Sequence, residues 1–420
     1  MALCAQEELA MWSQMFDAAD TMEEQLQYVR NVSDGELAGA EDFYAKVLAQ
    51  LIVEYPSFNM RSQWDAADSC ARILAPALGN AGYKAAAGDL WQMVGYFSNP
   101  LVKSDALIAL GKIGDKTYLP QVVQLLKDLN ARPQSDREMR ERNERIAYGA
   151  ILSLENYKDP AGYEPVFFAS IGWYAPRITT QASVSLPNIT DDPTDFLVGV
   201  IRSSSLAGLP DTVHPYEVKN LAVRTSERSE SPANRKALVA LAALTEGWRA
   251  STNDVHLRSE LAAMRKLALS MLRRYGGDGN GGLVEELKFR EENFSTAQWP
   301  NVKPEERDTG EALCAGLRRS YDNGDTDEKL AAVQTLSALG SNDAARLLGY
   351  FLMNINQRRQ SNSLTRTDEQ LVRAVIPALG ATRRGIGRPA LRAVQQSSAW
   401  TNEVRNRAAA ALKVIDENPR

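Results

Sequence analysis

Histidine and cysteine, the side chains most often recruited as metal ligands or nucleophiles, are scarce in this 420-residue chain. It holds His214 and His256, and Cys4, Cys70 and Cys314. None of these stands in the spaced pairs that a structural zinc site requires, and three scattered cysteines do not make a disulfide scaffold. No G-x-S-x-G elbow and no H-E-x-x-H helix occurs. The string Gly277-Asp278-Gly279-Asn280-Gly281-Gly282 spells G-x-G-x-x-G. A dinucleotide site needs that string between a strand and a helix. Here a helical pattern, Leu267 to Tyr275, precedes it, so it reads as a helix–helix turn. Asn323-Gly324-Asp325-Thr326-Asp327 resembles the start of a calcium loop, but Glu328 stands where the loop needs its sixth-position glycine. Asp325, Thr326 or Asp327 therefore reads as a helix N-cap. His214, followed by Pro215, reads as a solvent-facing or locally bonded loop residue. These residues point to no catalytic centre, no cofactor and no metal.

Charge is the more informative chemistry. The net charge is −5 and the isoelectric point about 5.5, which argues against a nucleic-acid binder working by bulk positive charge. The two ends differ sharply. Residues 1–60 hold eleven acids against Arg30 and Lys46, a net of −9, and residues 341–420 hold thirteen bases against six acids, a net of +7. The bases include Arg358, Arg359, Arg366, Arg373, Arg383, Arg384, Arg388 and Arg392. Arginine suits bidentate contact with carboxylate or phosphate. This stretch, 358 to 392, is the candidate partner-binding surface, with Arg383, Arg384 and Arg388 expected to converge around one turn. An acidic protein or peptide, a phosphate-rich ligand, or a second copy of the chain would suit it. A second charged run, Asp136 to Arg145, contains i,i+4 pairs such as Arg137/Glu141 and reads as the solvated start of a helix.

The chain is 44% hydrophobic and 24% charged, an ordinary globular composition. No apolar run of about 18 residues occurs, so no membrane-spanning helix is expected. One phrase recurs: an Ala-rich helix closing on Leu-Gly, a polar turn, then a second apolar helix. Its clearest copy runs Asn99-Pro100-Leu101-Val102-Lys103 through Ala109-Leu110-Gly111-Lys112-Ile113-Gly114-Asp115, with Pro120 in the next helix. Positions 102, 106, 109, 110 and 113 lie on one helical face. Gly111 suits close packing, Gly114 a left-handed cap, and Pro120 a first helical turn. Further copies span Asp65–Gly79, Asp327–Gly340, Asp368–Gly380 and Asn402–Leu412, with weaker ones ending near Leu154, Leu186, Leu244 and Gly276. Anchors at 79, 111, 154 and 186, and at 339 and 380, step by 32 to 43 residues, within the range of two-helix repeats. Leu107, Leu110, Ile113, Val122, Leu125, Leu336, Leu339, Leu379 and Leu412 are the expected core. Stretches near 203–233, 291–310 and 355–367 read as long loops, and Arg177 to Thr180 as the start of a divergent repeat.

The phrase at 99–115 resembles the HEAT-like repeat of the bilin-lyase type, with its Asp/Asn-Pro-x-Val-Arg opening, Ala-Leu-Gly end and Gly-Asp turn. Lys103 stands at the basic position here, and Arg405 in the last copy. The resemblance implies an all-α fold: a right-handed α-solenoid of stacked two-helix repeats over residues 61–415, interrupted by the long loops. Residues 6–58, helical by pattern through Leu9, Met11, Trp12, Met15 and Phe16, form an N-terminal cap. The implied function is non-enzymatic, a protein–protein interaction scaffold or adaptor. Two alternatives belong to other classes. Some DNA glycosylases are built from HEAT-like repeats, and Trp64, Trp91, Trp173, Trp248 and Trp400 would supply aromatics, although core positions suit them better. A structural component of a cell-envelope assembly is the other. The His-Glu pairs of HEAT-like di-iron hydroxylases are absent, since His214 precedes Pro215 and His256 precedes Leu257. Leu3-Cys4-Ala5 before Gln6-Glu7-Glu8 reads as the tail of a cleavage site, which implies an exported or periplasmic protein, the alternative being a plain cytoplasmic N-terminus.

Overall fold

A computed structural model describes residues 2–203, 206, 213–249, 253–276 and 310–419. It is all-α, with twenty helices and no strand among the described residues. The helices fall into two compact units, one comprising Met1–Asp191 with Ala207–Val213, the other Asp192–Leu206 with His214–Arg420. The first holds α1 (Ala2–Asp17), α2 (Met22–Asp34), α3 (Glu41–Glu54), α4 (Arg61–Ala81), α5 (Ala87–Tyr96), α6 (Pro100–Ile113), α7 (Leu119–Asn130), α8 (Arg137–Tyr157), α9 (Tyr163–Ile171) and α10 (Pro176–Ile189). The second holds α11 (Thr194–Arg202), α12 (Pro215–Arg228), α13 (Ala233–Arg249), α14 (Val255–Tyr275), α15 (Gly310–Asn323), α16 (Thr326–Leu339), α17 (Asn342–Gln360), α18 (Arg366–Ala381), α19 (Arg388–Gln396) and α20 (Asn402–Glu417). None of the described helices is long and apolar enough to cross a membrane.

Two of the expected loops are shorter than their polar composition suggested. Residues 215–228 are helical, because Pro215 opens α12 and Val218, Ala222, Val223 and Ser226 bury one stripe. Helix α17 runs on to Gln360 and buries Ile355 and Asn356, which leaves a short link before α18. Residues 291–309 and the glycine string at 277–282 lie outside the described residues. Arg177 to Thr180 are helical, within α10.

Local chemistry starts and stops these helices. The Asn99 side chain accepts from Leu101 N–H at 2.9 Å, Pro100 takes the first turn of α6, and Gly114 closes it at φ +71°. Asp136, Asp254, Asp325, Ser341 and Thr401 cap α8, α14, α16, α17 and α20 through their side chains. Thr365 and Asp368 form a reciprocal capping box on α18, the Thr365 hydroxyl accepting from Asp368 N–H and the Asp368 carboxylate from Thr365 N–H.

Packing follows sequence order, every second helix against the next. In the first unit α2 packs on α4, α4 on α6, α6 on α8 and α8 on α10, while α3 meets α5 and α7 meets α9. In the second, α14 packs on α16, α16 on α18 and α18 on α20, while α15 meets α17 and α17 meets α19. The Leu-Gly signature has its explanation here. A Cβ on Gly111 would lie 2.5 Å from the Ser153 carbonyl oxygen, one on Gly79 2.7 Å from Ala109 Cα, and one on Gly380 2.8 Å from Ala411 Cβ. Each glycine lets the next alternate helix approach backbone to backbone. Gly149 of α8 meets Ser104 of α6 in the same way. The contacts 104 with 149 and 111 with 153 ascend together, so α6 and α8 run in the same direction. Gly340, in the same Leu-Gly pair, has another role, as a left-handed cap at φ +61°.

Eight of the nine expected core residues are buried, Leu110 completely. Leu125 is half-buried instead. Helix α7 buries Leu119, Val122, Leu126 and Asn130, and of the neighbours Leu125 and Leu126 the second lies on that stripe. Buried polar groups recur one repeat apart. Tyr174 donates its hydroxyl to Asn130 Oδ1 at 2.9 Å, and Asn130 Nδ2 donates to the Pro165 carbonyl at 2.8 Å. Trp400 Nε1 donates to Asn356 Oδ1 at 2.8 Å. Tyr174 and Trp400 each sit one residue before an N-cap, 44 residues beyond the asparagine. Each pair ties the end of one helix pair to the entry of the next.

Candidate interaction surface

The arginines of the C-terminal stretch ride on α17, α18 and α19 and the turn between the last two, and they do not form one patch. Four are held by the fold. Arg358 donates to the buried Asp368 at 2.7 Å, adding a third bond to the carboxylate of the α18 capping box. Arg359 Nε donates to the Ala399 carbonyl at 2.8 Å, and its guanidinium lies over the Trp400 ring. Arg384 Nε donates to the Gly340 carbonyl at 2.8 Å, at the end of α16. Arg388 pairs with Asp416 of α20 at 2.8 Å. The other four, Arg366, Arg373, Arg383 and Arg392, are exposed. They lie on different helices: Arg366 and Arg373 on α18, Arg392 on α19, and Arg383 in the link, at φ +57°. The turn at 383–388 therefore points two of its three arginines into packing.

A second group was not singled out from the sequence. Arg346, Tyr350 and Met353 recur at i, i+4 and i+7 along the exposed side of α17. Arg318 of α15 donates to the Tyr350 hydroxyl at 3.2 Å and covers its ring at 4.8 Å. Arg319 of α15 and Arg392 of α19 are exposed on the neighbouring helices of the row. Asp322 and Asp343 pair with Arg318 and Arg346. The signal was present in the sequence as an aromatic and a methionine on the polar side of an amphipathic helix. Aromatic, methionine and arginine side chains are the ones enriched in protein interfaces.

Buried charges elsewhere serve packing. Glu328 is 2% exposed; burial pushes its carboxyl upward, and Arg265 beside it opposes that shift. Arg265 spans from Glu328 to the Gly247 carbonyl and stacks over Trp248, whose Nε1 donates to Ser320. This cluster joins α13, α14, α15 and α16 and encloses the carboxylate. Lys219 of α12 and Glu246 of α13 form a buried pair at 2.5 Å.

The remaining sequence candidates have local roles. His214 caps α12, its Nδ1 accepting from Tyr216 N–H at 3.2 Å. Asp325 caps α16 by accepting from Glu328 N–H at 2.8 Å, which fits a cap and not a calcium loop. His256 is exposed in the first turn of α14. Of the five tryptophans considered, Trp400 is buried, Trp91, Trp173 and Trp248 are half-buried, and Trp64 is exposed. Cys70 is fully buried, and burial pushes its thiol up to about 12. Among the described residues no group of three or more His, Cys, Asp or Glu is placed to hold a metal ion. No protein-family model matches the chain, and no curated protein sequence matches it.

Proposed function

We propose that this chain is a protein-interaction scaffold, each of its units an array of HEAT-like repeats stacked as a right-handed α-solenoid. Sequential packing of alternate helices supports the repeat reading, as do the glycine contacts at 79, 111 and 380 and the 44-residue buried clamps. The observation that carries the binding role is the exposed stripe Arg346, Tyr350 and Met353, with Arg319 and Arg392 exposed on the helices packed beside α17. An apolar centre rimmed by guanidinium groups suits a partner that offers carboxylates around an apolar anchor. Arg366, Arg373 and Arg383, on α18 and the link after it, belong to the other row and are not part of this stripe. Exposed charge pairs contribute only ~0–1 kcal/mol each, so the apolar anchor must supply most of the affinity.

The test is affinity capture from the source cell with the intact chain and with a Tyr350→Ala, Met353→Ala variant, compared by mass spectrometry. A protein held by the intact chain, released by salt and lost with the variant supports the scaffold role. Capture of nucleic acid, or turnover of a damaged base, by the intact chain and not by this variant would replace it with the glycosylase-type reading.

A further inference from the structure

The N-terminal helices and the α15–α17–α19 row carry opposite chemistry on exposed faces. Helix α1 turns Phe16 inward, with Leu9 and Trp12 half-buried beside it, and leaves Met11 and Met15 exposed one turn apart. Glu7, Glu8 and Asp17 are exposed on the same helix, and Glu23, Glu24, Asp34 and Glu36 on α2 and just beyond it. Lys46 pairs with Asp17, and Arg30 is the only other base in the first sixty residues. On α17, Tyr350 and Met353 form an apolar pair of similar size, with Arg346 one turn before Tyr350, Arg318 over its ring, and Arg319 and Arg392 exposed on the adjacent helices α15 and α19. Each face thus exposes an apolar pair together with an excess of one charge: Arg318, Arg319, Arg346 and Arg392 against Asp322 and Asp343 on the one, and acids against Lys46 on the other.

We propose that a second copy of this chain is the occupant of the α15–α17–α19 face, its α1 seated with Met11 and Met15 against Tyr350 and Met353. The proposal rests on the scaffold reading only in using the same face. Carboxylates of α1 and α2 would meet Arg319 and Arg392, whose guanidinium groups have no ion-pair partner among the described residues. The contact is head to tail, so each copy keeps one face unoccupied and a third copy is able to add. A single helix stripe makes a small interface of the transient class, so association is weak and concentration-dependent. Rim charges make it salt-sensitive.

Sedimentation velocity of the full chain over a ~100-fold concentration range tests this, at ~50 mM and ~500 mM NaCl. Association at low salt is expected, weakened ~10-fold or more at high salt. A Met11→Glu, Met15→Glu variant and a Tyr350→Glu, Met353→Glu variant should each stay monomeric alone, with unchanged circular dichroism. Their equimolar mixture should dimerise and go no further, because one intact face of each kind survives. If the face variant loses helicity, Arg319→Glu, Arg392→Glu replaces it, and if the α1 variant does, Met11→Ala, Met15→Ala replaces that. A chain monomeric at every concentration overturns the proposal, as does association that both variants retain. So does a mixture that stays monomeric while the intact chain associates, which would mean a self-matched interface. Any of these results leaves the capture experiment with other proteins as the separate test of the scaffold role.

Discussion

Three glycines that look alike in sequence should respond differently to alanine. Gly111 is in α6, and the added Cβ would lie 2.5 Å from the Ser153 carbonyl oxygen and 2.6 Å from its Cα, where ordinary contact is 3.4–4 Å. Both obstacles are backbone, so no rotamer change relieves them. Helices α6 and α8 would have to separate by about 1 Å, and such a gap forfeits a quarter to a half of the dispersion energy along the contact. Overpacking of this kind costs ~1–3 kcal/mol, and the upper end applies where nothing can rotate away. Helix propensity returns ~1 kcal/mol, so Gly111→Ala should destabilise by about 2 kcal/mol. Gly340 has φ +61° and meets nothing nearer than 4.0 Å, so Gly340→Ala incurs only the left-handed strain, ~1–2 kcal/mol. Gly349 lies inside α17 at ordinary φ, and its nearest neighbour is Ala390 Cβ at 3.8 Å. Gly349→Ala should therefore stabilise by ~0.5–1 kcal/mol. Urea unfolding followed by circular dichroism gives the order, from midpoint and slope. A Gly111→Ala protein as stable as the parent would refute the close approach of α6 and α8, and with it the stated reason for the Leu-Gly signature.

Four further outcomes are expected. Tyr174→Phe removes the hydroxyl that donates to the buried Asn130 and should cost ~1–3 kcal/mol in urea unfolding, with no change in helix content. Native Cys70 should resist iodoacetamide at pH 8 and react once unfolded, as read by peptide mass spectrometry, because burial holds its thiol near 12. Lys116 donates to Asp159 at 2.7 Å and, with Ala161 N–H, holds that carboxyl below its ordinary value. A lowered carboxyl contributes stability above its unfolded pKa of about 4 and loses it as pH falls through the folded value. The stability difference between the parent and Lys116→Met should therefore be full above pH ~4 and shrink in more acid solution, measured by urea unfolding across pH. Finally, Arg388→Ala and Arg384→Ala should each destabilise, whereas Arg366→Ala and Arg373→Ala should stay within ~0.5 kcal/mol of the parent by thermal unfolding.

Helical class, caps and core were legible because each is written locally. Asn99-Pro100 at one end of α6 and Gly114 at the other mark it without reference to anything distant, and Asp325 marks α16 in the same way. The apolar phase was legible wherever one residue per turn decided it, and it failed at Leu125-Leu126, where adjacent leucines left two phases open. Composition misled at 215–228, because Lys219, Asn220 and Ser226 are polar and yet buried in contacts with neighbouring helices. One identity passed unread. Pro-Ala-Leu-Gly occurs at 76–79 and again at 377–380, and in both copies the glycine receives an alanine of the next alternate helix, Ala109 or Ala411.

The arginines show where local reading stops. Arg358 and Arg366 are both arginines in polar surroundings, one bound to a buried carboxylate and the other exposed. The partners that make the difference are set by packing between helices, and range from ten residues away for Arg358 to 44 for Arg384. Arg384 reaches Gly340, 44 residues back, and Arg359 reaches Ala399, 40 residues on. The first is the separation at which Asn130 meets Tyr174 and Asn356 meets Trp400, and the second is four residues shorter. The separation of about 44 residues thus recurs where polar side chains of successive helices find each other. A charge cluster in such packed helices has to be read against the residues of the neighbouring helices before it is assigned to a ligand. Arg319 and Arg392 have no ion-pair partner among the described residues and are exposed on α15 and α19, beside the stripe of α17 that exposes Tyr350 and Met353. The proposed partner surface is placed there because helix packing leaves Tyr350 and Met353 exposed with Arg318 and Arg346 beside them.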